Sequence, residues 1–177
     1  KETINELASH YELHLLSGDN PAERNHLKNY FSDNENMHFE QSPSDKLAFI
    51  KNLQHNKKQV MMLGDGLNDA GALLQSYAGI AVTDNVNNFS PACDGILDAK
   101  QFAKIPVFLK FSKTSMKIIF ASYIISFLYN TVGTWFAVQG ELSPVFAAII
   151  MPLSTVTIVI FTTLSSNIAA YYYNIKH

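Results

Sequence analysis

Residues 60–73 read VMMLGDGLNDAGAL, an apolar run that ends in two glycines around an aspartate, with Asn68 and Asp69 just beyond. Gly64 and Gly66 permit a tight turn and a close backbone approach to a ligand where a Cβ would intrude. Asp65 supplies a hard carboxylate oxygen suited to Mg²⁺, which takes one or two protein carboxylates and completes its shell with phosphate and water. Asp69 comes four residues later, so on a first helical turn it projects near Asp65. Two carboxylates that close repel, and a divalent cation relieves the conflict. Asn68 adds an amide donor for a phosphoryl oxygen. A second loop, LLSGDN, follows another apolar run and offers the Ser17 hydroxyl and the Gly18 N–H beside Asp19. Lys46, near the start of a helix, adds a positive charge. A metal, hydrogen-bond donors and a cation around a small anion make a phosphoryl-transfer rim. Taken singly, SGDN fits an ordinary turn and Lys46 a solvated helix start. The specificity lies in GDGLNDAGAL, whose glycines, acids and amide fall in one fixed pattern after a buried strand.

These loops need a scaffold that presents strand ends. The pattern predicts a helix near Glu2–His10, a short strand in ELHLL, and a helix with Pro21 in its first turn. A strand in MHFEQSP is followed by a helix over SDKLAFIKNLQHN, with Ser44 or Asp45 near its cap. QVMML reads as a strand buried on both faces, NDAGALLQSY as a helix, and AGIAV and DGILD as strands. Strand and helix alternate, which implies a partial Rossmann-like parallel sheet with both aspartate loops on the carboxyl rim.

The composition is divided between two solvents. Charged residues are 16% of the 177 and the net charge is −2, with no basic stripe to suggest a nucleic-acid partner. Cys93 has no partner for a disulfide and reads as a buried structural thiol. Ile118–Val138 and Val145–Ala170 contain no Asp, Glu, Lys or Arg, and each exceeds the roughly 20 apolar residues that cross a hydrocarbon core. The expected organisation is an α/β part over 1–99, then a connecting helix and a transmembrane hairpin over 100–177, in contact with the lipid bilayer. Lys104, Lys110, Lys113 and Lys117 precede the first span and Lys176 follows the second, while the intervening QGELSP has neither Lys nor Arg. The positive-inside rule then places both ends in the cytoplasm. The chain opens on a helical-looking KETINELASHY without a leader, as a piece of a longer protein would.

Within the spans, Tyr129 and Asn130 are adjacent, and Met151 and Ser154 lie three apart around Pro152. A thioether with neutral oxygens and an amide, and no Asp, Glu or His at that depth, suits a soft monovalent ion such as Cu⁺. Met as membrane filler and Asn or Ser as helix-bonding groups are the plainer readings of each residue alone.

GDGLNDAGAL closely resembles the hinge motif of P-type ATPases, ion pumps of the haloacid-dehalogenase superfamily. LLSGDN resembles their Thr-Gly-Asp loop, SPSDK their Pro-x-x-Lys segment, and GIAV their Gly-Ile-Ala strand. The resemblance spans essentially the whole chain, as the C-terminal part of the phosphorylation domain and the last two membrane helices. It implies that Asp65 is a Mg²⁺ ligand, that Asn68 and Asp69 organise phosphate and metal, and that Lys46 and Ser17 hold the phosphoryl group. Ser17 stands where the family usually has Thr, with the hydroxyl retained. The family's Asp-Lys-Thr-Gly motif, which carries the phosphorylated aspartate, does not occur in these residues, nor do the nucleotide-binding and actuator domains. The chain alone is therefore expected neither to pump nor to hydrolyse ATP. YN and MPLS are similar to signatures of the copper-transporting heavy-metal subgroup, which implies Tyr129, Asn130, Met151 and Ser154 as a share of a Cu⁺ path. That implies an integral protein of the plasma (inner) membrane, the rest of the pump as partner, and a copper chaperone as a further one. SPVFAAIIMPLSTVTIVIFTTLSSN is similar to the branch that supplies copper for cytochrome oxidase assembly. A Zn²⁺ or Cd²⁺ pump and a membrane-tethered phosphatase are the rival readings.

Overall fold

The computed structural model describes residues 2–28, 30–31, 36–84, 93–140 and 143–175. Lys176, Glu141 of the expected inter-span connection and the Ser90–Ala92 part of SPACDG lie outside them. The chain divides into two compact units, Lys1–Pro106 and Val107–His177.

The first unit alternates helix and strand. Helix α1 (Glu2–Ala8) leads to strand β1 (Leu15–Leu16), a 3₁₀ turn at Pro21–Glu23 and the single-turn α2 (Arg24–Leu27). Strand β2 (Met37–His38) pairs in parallel with β1, Leu16 opposite His38. Helix α3 (Pro43–His55) begins two or three residues earlier than Ser44 or Asp45 capping would give. Its cap is Ser42, whose hydroxyl accepts from the Asp45 N–H while the Asp45 carboxylate accepts from the Ser42 N–H, with Pro43 in the first turn. Asp45 takes part in that capping box from its third position, and the two bonds to Ser42 hold its carboxyl below the usual carboxylate range.

Strand β3 (Met61–Gly64), helix α4 (Ala70–Gln75), β4 (Ala78–Thr83) and β5 (Gly95–Asp98) complete the unit. β3, β4 and β5 are parallel, with Leu63 opposite Ile80 and Ala81 opposite Ile96. Parallel strands joined by crossovers are what the sequence led us to expect, but they lie in two sheets, β1-β2 and β3-β4-β5. An apolar run reports a strand's burial and says nothing of which neighbour it pairs with. β3 itself is fully buried only at Met62. The core gathers Ile50 of α3, Met62 of β3, Ala72 and Leu73 of α4 and Ala81 of β4, with Val60 and Cys93 packed against it. Cys93 is free and half-buried rather than enclosed. Leu73 is wholly buried, and α4 comes so close to β4 that a Cβ at Gly79 would lie 2.3 Å from the Leu73 carbonyl oxygen. Gln54 and Gln75 bind α3 to the end of α4 through reciprocal bonds of 2.7 Å. On the smaller sheet the Phe49 ring of α3 packs on His14 and His38, which stack at 6.0 Å between ring centres. Burial, and His14 beside it, hold His38 below its ordinary pKa.

From Ala99 onward the described residues are helical. A 3₁₀ stretch, Ala99–Lys104, runs into α5 (Ile105–Val138), and α6 (Pro144–Tyr172) follows. The connecting helix expected from residue 100 is thus continuous with the first apolar span from Ile105 onward. Helices of 34 and 29 residues extend about 50 and 44 Å, enough for a hydrocarbon core of about 30 Å. Both are long and apolar enough to cross a membrane, and Phe120, Phe127, Trp135, Met151 and Leu164 are exposed along them. Contiguous apolar surface of that extent calls for a non-aqueous neighbour. Thr114 bonds to Tyr173 and Tyr129 to Thr157 across the pair. The other hydroxyls shown bond mostly to their own helix, as Ser154 does to the Met151 carbonyl.

Candidate phosphate and cation site

The end of β3 delivers the chain into the turn that carries Asp65. Gly66 adopts φ +85°, a left-handed conformation that glycine enters without a Cβ penalty. The exposed Asp65 carboxylate accepts from the backbone N–H groups of Leu67 (3.1 Å) and Asn68 (3.3 Å), and the Asn68 amide nitrogen lies 3.5 Å from its second oxygen. The turn therefore folds around Asp65 and aims Asn68 at the same carboxylate.

Asp69 occupies the position before α4 and is 8% exposed. Its carboxylate packs where a side chain at Gly64 would be: a Cβ there would stand 2.7 Å from Asp69 Oδ2. Lys46 Nζ, on the first turn of α3, reaches Asp69 Oδ1 at 2.7 Å, with both side chains largely shielded from solvent. A charge pair of this kind is stable only with good geometry and further hydrogen bonds. The cation that compensates Asp69 is thus Lys46, and the repulsion argument drawn from the spacing of Asp65 and Asp69 is already relieved on one side. Lys46 and Asp69 were each legible in the sequence as site candidates. Their direct pairing was not.

The Ser17 loop is built onto the segment before α3. Ser17 N–H donates to His38 O, Gln41 N–H to Ser17 O and Glu40 N–H to Asp19 O, at 2.9–3.0 Å. Gly18 runs beside that segment, 3.4 Å from the Gln41 carbonyl measured from an added Cβ. The Ser17 hydroxyl donates to Asp19 Oδ2 and accepts from the Asp19 N–H, both at 3.1 Å. It must leave the Asp19 carboxylate before it can donate to an anion. Glu40 and Gln41, which hold the loop, carry no motif and were missed in the sequence.

The geometry suits Mg²⁺ in one respect that can be tested on the residues themselves. Among the described residues no group of three or more His, Cys, Asp or Glu forms a metal cage. Mg²⁺ needs only one or two carboxylates when phosphate and water supply the rest, and the exposed Asp65 offers one, while Asp69 is engaged by Lys46.

In the helical unit the four candidate metal-path residues have separate surroundings. The Tyr129 hydroxyl lies 3.4 Å from Thr157 on α6, a partner the sequence did not reveal. Asn130 instead lines a groove of about 450 Å³ with Phe127, Thr131, Thr134, Trp135 and Val138. Met151 is 74% exposed on α6, and Ser154 is turned to the Met151 carbonyl.

Comparison with known proteins identifies the setting of these features. A family model described as haloacid dehalogenase-like hydrolase matches residues 1–76. The probable copper-importing P-type ATPase A of Enterococcus hirae is 30% identical over 157 residues, which is 88% of this chain and 22% of that protein. The copper-exporting P-type ATPase of Staphylococcus saprophyticus is 37% identical over 117 residues, 66% of this chain and 15% of its own. The chain belongs to the P-type ATPases. It spans about a fifth of the length of these relatives. In fold, it matches a zinc-transporting PIB-type ATPase in an E2.Pi state with TM-score 0.79 at 18% identity, over 93% of this chain and 27% of that one. It is also similar to the catalytic domain of the CPx-ATPase CopB-B, at 28% identity and TM-score 0.50 over 59% of this chain and 41% of that one.

Proposed function

We propose that the chain forms the C-terminal part of an ATP-driven heavy-metal pump that moves Cu⁺ out of the cytoplasm. Residues 1–99 are then the end of its phosphorylation domain, and 100–177 its connecting helix and last two spans, with both ends cytoplasmic in the plasma membrane. The observation that carries this reading is the Lys46–Asp69 pair, 2.7 Å long, beside an exposed Asp65 at the end of a parallel strand. Copper-named relatives over most of the chain support the choice of ion.

In this reading Asp65, with Asp69, holds Mg²⁺, which when bound neutralises phosphate charge and orients its oxygens. Lys46 fixes the Asp69 carboxylate and presents its ammonium to the anion. Ser17, once released from Asp19, the Gly18 N–H and the Asn68 amide donate to phosphoryl oxygens. Such preorganised donors stabilise charge that develops during transfer. The acceptor aspartate and the nucleotide-binding surface belong to the rest of the pump. Tyr129, Asn130, Met151 and Ser154 contribute to the ion path, and delivery by a copper chaperone and use in cytochrome oxidase assembly are the finer steps of the same proposal.

In the complete pump, Asp65→Asn is expected to abolish Mg²⁺-dependent phosphoenzyme while α5 and α6 remain inserted. Normal phosphoenzyme in that variant would remove Asp65 from the metal role. A zinc pump is the second reading, favoured by the fold match to a zinc-transporting structure. Metal-stimulated ATPase activity separates the two, since stimulation by Zn²⁺ without Cu⁺ overturns the copper assignment.

A further inference from the structure

We propose that Glu40 is a positioning residue for the phosphoryl site, its left-handed backbone locking the Ser17–Asp19 loop to the entry of α3. The inference rests on the reading of Ser17, Gly18 and Lys46 as phosphate contacts and adds what holds them at one spacing. Among the described residues, three other than glycine have φ in the left-handed region: Glu40, Lys57 and Asn174. Lys57 and Asn174 come just after α3 and α6, where a left-handed residue ordinarily closes a helix. Glu40, at φ +57°, closes none and lies between β2 and α3. A residue with a Cβ enters that conformation at a cost, which persists only where the surroundings require it.

The hydrogen bonds show the requirement. In an extended strand successive N–H groups point to opposite sides, so only alternate residues bond to one neighbour. Glu40 N–H and Gln41 N–H are consecutive, yet both donate to the same loop, to Asp19 O at 3.0 Å and to Ser17 O at 2.9 Å. The left-handed turn at Glu40 departs from the extended form and lets both face the loop. Ser17 N–H donates in return to His38 O, and Gly18 runs close beside Gln41 O. Directly after Gln41, Ser42 caps α3, and Lys46 N–H donates to Ser42 O one turn on. The backbone thus runs from the partners of the Ser17 loop, through Glu40, to the lysine whose ammonium holds Asp69. The Glu40 carboxylate is exposed and has no hydrogen-bond or ion-pair partner among the described residues. What the position supplies is its backbone angle.

The test uses the complete pump phosphorylated from inorganic phosphate, and reads both the half-saturating phosphate concentration and the maximal phosphoenzyme. Glu40→Val, whose branched side chain resists the left-handed form, is expected to raise half-saturation by about tenfold, as for one lost hydrogen bond to a charged group. Glu40→Gly, free to adopt the angle, and Glu40→Gln, which removes only the charge, should each stay within about twofold of the unmodified pump. A pump that is merely less stable loses maximal phosphoenzyme while its folded remainder keeps the same half-saturation. Should Glu40→Val not fold, Glu40→Ala carries the same comparison with Glu40→Gly. Half-saturation unmoved in the Val or Ala variant, or raised as much in the Gly or Gln variant, overturns the positioning role. Ser17→Ala tests the reading underneath. If it raises half-saturation while Glu40→Val does not, the phosphate contact stands and the role of Glu40 falls; if it leaves half-saturation unmoved, both fall.

Discussion

Gly79 and Gly133 both interrupt apolar elements, yet a methyl group would meet them very differently. At Gly79 on β4 it would collide with the α4 backbone at 2.3 Å, while at Gly133 on α5 nothing lies within 4 Å. The contrast extends to the polar groups. In the first unit, bonds such as Lys46–Asp69 and Gln54–Gln75 join separate elements. In the second, Ser154, Thr162 and Ser122 return their hydroxyls to carbonyls of their own helix, and Thr114–Tyr173 and Tyr129–Thr157 are the bonds shown between helices. One region is complementary to itself and the other is finished for contact with lipid or further helices. A backbone carbonyl already satisfied within a helix leaves a side chain free to face hydrocarbon without an unpaired donor.

Substitution can break this contrast or sharpen it. Gly79→Ala is expected to cost about 4 kcal/mol or more, because the obstacle is backbone and cannot swing aside. Gly133→Ala should change stability by less than about 1 kcal/mol, in the stabilising direction that helix propensity favours. Amide hydrogen exchange in the two units of the full chain reads both, and comparable losses would erase the distinction. Next in size is Lys46→Met, which leaves the shielded Asp69 carboxylate without its cation and should cost about 3 kcal/mol. Denaturant titration with the Asp69→Asn partner in a double-mutant cycle checks this; additive losses would mean that the pair is not coupled. Smallest is Ser42→Ala, worth about 1 kcal/mol for a lost cap. The folded pKa of Asp45 is lowered by its bonds to Ser42, so its stabilisation is present above the unfolded pKa and lost as pH falls through the folded value. Ser42→Ala should flatten stability against pH below about pH 4, and an unchanged slope would discard the capping box as its cause.

Much of this was legible because some residues carry their meaning locally. The run before Gly64 marks β3, and the glycines and acids after it mark a turn with a site, whatever the rest of the chain does. Pro43 and Ser42 also held the start of α3. The apolar periodicity that begins later in SDKLAFIKNLQHN moved the expected cap two or three residues inward. Division into two sheets was not legible, since nothing in LLSGDN or QVMML specifies a hydrogen-bonding neighbour. The meeting of Tyr129 with Thr157 was hidden for a related reason. Which side of an all-apolar helix faces its partner is decided by packing, and α5 has little polar asymmetry along its span to announce it. Lys46 and Asp69 stood out as charges beside the motif loops, but a contact between residues 23 apart depends on how α3 lies against α4.

The parallel pairing of β3 with β4 and β5 also sets an order in time. Met61 cannot meet Ala78, nor Ile80 meet Gly95, until a crossover of about a dozen residues or more has closed. Loop closure of that kind slows folding relative to local contacts. The Ser42–Asp45 box needs only four consecutive residues, so α3 is expected to begin early and the α3–α4 clamp to close late. Lys46→Met should accordingly hasten unfolding more than it delays folding, and a folding arm that shifted most would reverse the order. The pair that steadies the rim would then act chiefly as a brake on its opening.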